Sequence, residues 1–206
     1  MRRSTLAGLV LAVGLLALGL GADTAPGSAS QPPSPEEVDR RYREFNARPR
    51  FVGELNGFTF YEREPDAAAR GIPVCAGPVE RYATAAELEA SPLNFSVGYL
   101  PAGFRPLEAT ATACGDQVVT VTRTFGGSRG GFVGIVRVAG RPFVQAIAPR
   151  DYLQAGVVGG RPAVTRLPIV PGHWTTVWMR DGRSVWAVSC MGISPQECGK
   201  VAAAVR

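Results

Sequence analysis

Histidine is almost missing from this chain: among 206 residues, His173 is the only one. A serine hydrolase needs a base to take the nucleophile's proton, usually an imidazole. Structural zinc sites draw on several imidazoles or on Cys-x-x-Cys thiolate pairs. Neither resource is present, for no two of the four cysteines stand in that spacing, and the one Gly-x-Ser-x-Gly run, Gly126 to Gly130, lies between two expected strands and lacks the following helix of a nucleophile elbow. The glycine run from Gly126 to Gly131 lacks the Lys-Ser/Thr that follows a phosphate-cradling loop, so it reads as a hairpin loop. Lysine is as scarce, with Lys200 alone, so the positive charge is nearly all arginine. These gaps leave no catalytic constellation, no metal site and no cofactor to expect.

What is present starts at the N-terminus. Two arginines, Arg2 and Arg3, precede an uncharged apolar run of 17 residues, Leu6 to Ala22, and polar small residues follow. That order is the layout of a secretory leader. As a helix the run spans about 25 Å, against roughly 30 Å for a bilayer core, so a cleaved leader and a retained membrane anchor both stay open. No cysteine follows the run, which excludes lipidation there. The expected location is extracytoplasmic, with membrane association through residues 6–22 if the segment is kept, and nucleic acid is disfavoured as a partner. Residues 1–29 are read as leader or anchor with the start of a tether, 30–50 as tether and a short amphipathic helix, and 51–206 as one domain.

Glycine (25) and proline (17) are frequent, which favours short strands and many turns. Ser34-Pro35-Glu36-Glu37 and Thr84-Ala85-Ala86-Glu87 are helix starts with a cap and a glutamate three residues on. Val38, Tyr42 and Phe45 recur at helical spacing. Residues 51–61 look strand-like around a turn at Asn56-Gly57, and strands are expected at 107–113, 118–125, 132–138 and 163–170, with 142–148 continuing the same sheet. Thr175–Met179 and Ser184–Cys190 flank an Asp181-Gly182 hairpin signal. A turn centred on those two residues sets Val177 opposite Trp186 and Trp178 opposite Val185. Ser194-Pro195-Gln196-Glu197 starts a last helix. The fold class expected is α+β: a mostly antiparallel sheet with a few helices, the C-terminal one packed on the sheet.

Four cysteines in an exported domain argue for two disulfides, with three possible connectivities. Cys190–Cys198 is favoured, since a strand end and the first turn of the next helix can approach within bridging distance. Cys75–Cys114 is then left. Residues 116–206 hold 11 basic and 4 acidic groups, a local balance of +7. Exposed bends at Arg141 and Arg161, with Arg129 and Arg183, offer guanidinium forks to an anionic ligand or an envelope protein. Trp174 and Trp178 join them as candidate binding residues. The alternative is a hydrolase of envelope polymers using Glu62 and Glu64, two carboxylates two residues apart; a purely structural envelope protein is a third possibility.

Pro92-Leu93-Asn94-Phe95-Ser96-Val97 and Tyr99-Leu100-Pro101-Ala102-Gly103-Phe104 open a stretch that resembles a bacterial family of extracytoplasmic domains found on anti-sigma-factor, sporulation-related and lipoprotein-carrier-like proteins. The Val157–Val164 segment, the Trp178 strand, the Asp181-Gly182 turn and the Ser194-capped helix follow in similar order, over residues 92–206. The resemblance implies a sensory, scaffolding or carrier-type binding module, and no catalytic residue carries over. The family's sigma-regulator members place a cytoplasmic domain before the apolar segment, and this chain does not, so a direct anti-sigma role is not expected.

Overall fold

A computed structural model of the chain describes residues 32–206 apart from 64, 66–68, 70, 72–80 and 129. The apolar run 6–22 therefore lies outside the described residues. Helix α1, Pro35–Ala47, starts where Ser34 Oγ accepts the Glu37 amide, and helix α2, Ala85–Ala90, starts at a reciprocal box between Thr84 and Glu87. Helix α3, Pro195–Ala203, is capped by Ser194 in the same way. Each cap satisfies an amide that the first turn otherwise leaves unpaired.

Eleven strands are described: β1 (Gly53–Leu55), β2 (Phe58–Tyr61), β3 (Arg81–Tyr82), β4 (Phe104–Cys114), β5 (Gln117–Gly127), β6 (Phe132–Ala139), β7 (Phe143–Gln145), β8 (Leu153–Val158), β9 (Arg161–Arg166), β10 (Thr175–Asp181) and β11 (Ser184–Met191). Eight form one sheet in the order β3-β4-β5-β6-β11-β10-β9-β8, antiparallel at every step. The fold is α+β, and α3 packs on β10 and β11.

The large sheet is covered on both faces, which explains why β10 is buried at five consecutive positions instead of alternating. Val177, Met179, Trp186 and Val188 point to the α3 side, where Phe95, Val201 and Val205 complete one core. Trp178 and Val164 point the other way, into a second core with Phe45 of α1 and Phe58, Phe60 and Val144 of a small sheet ordered β1-β2-β7. Burying such a side chain fully stabilises by roughly 1.5–3 kcal/mol.

Three local expectations change. Strand β7 leaves the large sheet and pairs parallel with β2, because Gly140, at φ +128°, turns the chain away and Val144 buries against the second core. Strand β8 was not expected: Gln154, Ala155 and Gly156 carry weak strand preference, and pairing with β9 across the Gly159-Gly160 turn supplies it. In the β10–β11 hairpin Val177 pairs with Val188 and Met179 with Trp186, so the central turn residues are Gly182 and Arg183. Only Gly182 of the two has positive φ, at +56°, which fits a turn with glycine first and not the Asp-Gly form that needs both positive.

Cys190, one residue before the end of β11, is bonded to Cys198 in the first turn of α3, with Cα atoms 5.9 Å apart and no exposure at either residue. Cys114 is also disulfide-bonded; Cys75, its expected partner, lies outside the described residues. Oxidised cysteines of this kind are a mark of an oxidising, extracytoplasmic setting. Among the described residues, no helix is long and apolar enough to cross a membrane.

Candidate functional site

The expected binding residues do not form one surface. Arg141 and Arg183 are exposed at the same end of the large sheet, where the Gly140 amide donates to the Arg183 carbonyl at 2.7 Å. Arg161 shares that end, yet it is committed to the fold: Nη1 donates to the Val205 carbonyl at 3.1 Å and Nε lies 3.5 Å from Asp181 Oδ2. Trp174 is half-buried at the opposite end of β10, edge-on to Phe132. Trp178 is only 7% exposed and packs edge-on against Phe60, so it is core and offers no face to a partner. Arg129 lies outside the described residues, as does Glu64 of the carboxylate pair; Glu62 is exposed.

His173 belongs to packing as well. Its Nδ1 is 2.6 Å from the Tyr42 hydroxyl, which ties the turn before β10 to helix α1. Partial burial holds the imidazole below its ordinary pKa. Burial also lowers the Arg166 guanidinium, while Tyr42 nearby acts in the other direction. Among the described residues, no group of three or more His, Cys, Asp or Glu is arranged to hold a metal ion.

The most site-like geometry lies elsewhere, on the α3 side. The segment after Pro92 crosses the sheet there and is clamped to the chain's last residues. The Ser96 amide donates to the Arg206 carbonyl at 2.9 Å, the Arg206 amide returns the bond at 3.1 Å, and the Gly98 amide reaches Ala204 at 2.9 Å. Between this segment and the β4–β5 pair is an open cleft of about 680 Å³, lined by Phe95, Val97, Leu100, Pro106 and Phe125. Its polar groups come from Asn94, Ser96, Arg123 and Arg206. Ligand sites commonly span about 300–1,000 Å³ and combine apolar walls with a few placed polar groups.

Arg123 dominates the charge of this cleft. Its Nη2 donates to Asn94 Oδ1 at 3.0 Å, and its guanidinium lies 5.4 Å from the Phe95 ring centroid. Its Nε is buried with no hydrogen-bond partner among the described residues. Phe95 in turn packs edge-on against Trp186, 5.0 Å between centroids, and Arg137 stacks on that indole at 4.6 Å. Arg137 also donates to the Pro92 and Asn94 carbonyls, so it fixes the backbone that carries Asn94. Sequence reasoning passed over Arg123, although a signal existed: it occupies the position between Val121 and Phe125 on the inward face of β5, where a charge is costly unless something compensates it.

Comparisons with family models, with curated proteins and with solved structures return no match for this chain.

Proposed function

We propose that this chain is an exported, disulfide-stapled, non-catalytic binding or interaction module of the cell envelope. The observation that carries this reading is the Cys190–Cys198 bond at zero exposure between β11 and α3. A bridge of this kind persists where thiols are kept oxidised. The leader pattern at residues 6–22 supports the same compartment, as a cleaved segment or as an anchor. The resemblance over residues 92–206 supports a sensory, scaffolding or carrier role for a partner in the envelope. Arg141 and Arg183, both exposed at one end of the sheet, form the protein-facing surface in this reading.

The test is to express the chain in a bacterial host and fractionate the cells. It should appear outside the cytoplasm with all cysteines oxidised, and in vivo crosslinking should give a discrete adduct that Arg141→Glu with Arg183→Glu removes. Recovery in the cytoplasm as a reduced protein would sink the compartment. Turnover of an envelope polymer, lost on Glu62→Gln, would sink the non-catalytic reading.

A further inference from the structure

We infer that the cleft beside Arg123 is a binding site for an organic monoanion, a carboxylate carried on an apolar tail or ring. The inference deepens the reading of the chain as a binding module and does not depend on the compartment in which it works.

The charge is the first reason. Arg123 carries a full positive charge on the inward face of β5, and the partner it has is the neutral amide of Asn94. A guanidinium in this position favours an acidic counterpart, and none of the cleft's lining side chains is that of Asp or Glu. A planar carboxylate is the group that a guanidinium fork pairs with best. One inner guanidinium matches one negative charge; a dianionic phosphate would call for more cations than the cleft offers.

The walls are the second reason. Leu100 and Pro106, with the edges of the buried Phe95 and Phe125 rings, present carbon beside the guanidinium, so the ligand carries an apolar portion next to its carboxylate. The cation is also preorganised: Asn94 holds one Nη, and β5 is paired on both sides, so little ordering is needed when the ligand binds. A contrasting cleft of about 430 Å³ near Cys114 has Glu87 and Asp116 in its lining and would repel the same ligand.

Isothermal titration of the chain purified from the cells that make it tests this, with decanoate, decanol and acetate as probes. Decanoate should bind saturably at one site and about tenfold or more tighter than decanol, because one charge-assisted pair separates them. Acetate, lacking the tail, should give no measurable binding. Arg123→Gln keeps a donor for Asn94 and should bring decanoate down to the decanol level. Leu100→Trp fills the apolar wall with Arg123 intact and should weaken decanoate by a similar factor. Equal affinity for decanoate and decanol would overturn the inference, and so would wild-type affinity in the Leu100→Trp chain or no saturable decanoate binding at all. Absence of binding by a chain that is exported and oxidised would remove the cleft ligand alone, whereas binding by a chain found reduced in the cytoplasm would remove the envelope reading alone.

Discussion

Arg123, Arg137 and Arg161 surround the Phe95–Trp186 pair and divide into two assignments. Arg137 and Arg161 hold backbone carbonyls and stack on Trp186, while Arg123 keeps a donor unspent. Composition shows that arginine is abundant in the second half, but it does not say which of these side chains folding will consume. Bends at Gly140-Arg141 and Gly160-Arg161 look alike in sequence, yet among the described residues only Arg161 meets a carboxylate and the Val205 carbonyl. His173 yields a pH prediction. Its folded pKa lies below the ordinary value near 6.5, so between those two values the unfolded chain binds more protons than the folded one. The stability contribution is therefore complete above about pH 6.5 and is lost as pH falls through the lower, folded value. The melting temperature of the wild type should drop from pH 7 to pH 5 more steeply than that of His173→Gln. Equal slopes would show that burial of the imidazole imposes no such shift. Glu37 and Glu197, whose pKa values are lowered by Arg41 and Arg40 and by Lys200 and Tyr99 respectively, act only below the ordinary carboxylate range and do not blur this window.

At the scale of elements, local chemistry made the helices legible. Ser34, Thr84 and Ser194 each cap a helix as their sequence contexts predict. Ser194→Ala should lower stability by about 1 kcal/mol, read from the midpoint of urea unfolding, and an unchanged midpoint would mean the cap is idle. Strand existence was legible where β-branched residues dominate, as in β5 and β6. Strand partners were not, because partner choice depends on contacts far away in sequence. Nothing near residues 143–145 announces that β7 will join β2, and nothing in Gln154-Ala155-Gly156 announces a strand. The hairpin register failed by its turn type: an Asp-Gly pair was legible, but the backbone places Gly182 first among the central residues. The Cys190–Cys198 bridge was legible from the short separation of 8 residues between a strand end and a helix start. Replacing both cysteines by serine should cost roughly 2–3 kcal/mol in the chain-entropy view. Differential scanning calorimetry that finds the variant as stable as the parent would contradict a structural role.

For the whole molecule, the α+β class and the C-terminal helix on the sheet followed from the sequence pattern, whereas the second layer did not. A sheet covered on one face by α3 and on the other by α1 and the β1-β2-β7 sheet needs Trp178 inside, and that removes it from any binding surface. The cleft was illegible for the same reason, since residues 94–100, β5 and the chain's last residues meet only after folding. Double covering also makes the two cores cooperative through the shared sheet. Trp186→Ala, on the α3 side, should therefore cost about 3–5 kcal/mol and melt both layers in one transition. Separate transitions by tryptophan fluorescence and far-ultraviolet circular dichroism would refute that coupling. The compartment is what joins fold to proposed role, and thiol state reports it directly. The measurement is the intact mass of the chain isolated from its host under denaturing alkylation, with and without prior reduction. An exported, stapled module gives no alkylated cysteine before reduction and four once reduced, or, with the leader cleaved, the same four on a shorter chain. Alkylation of Cys190 or Cys198 before reduction would contradict it.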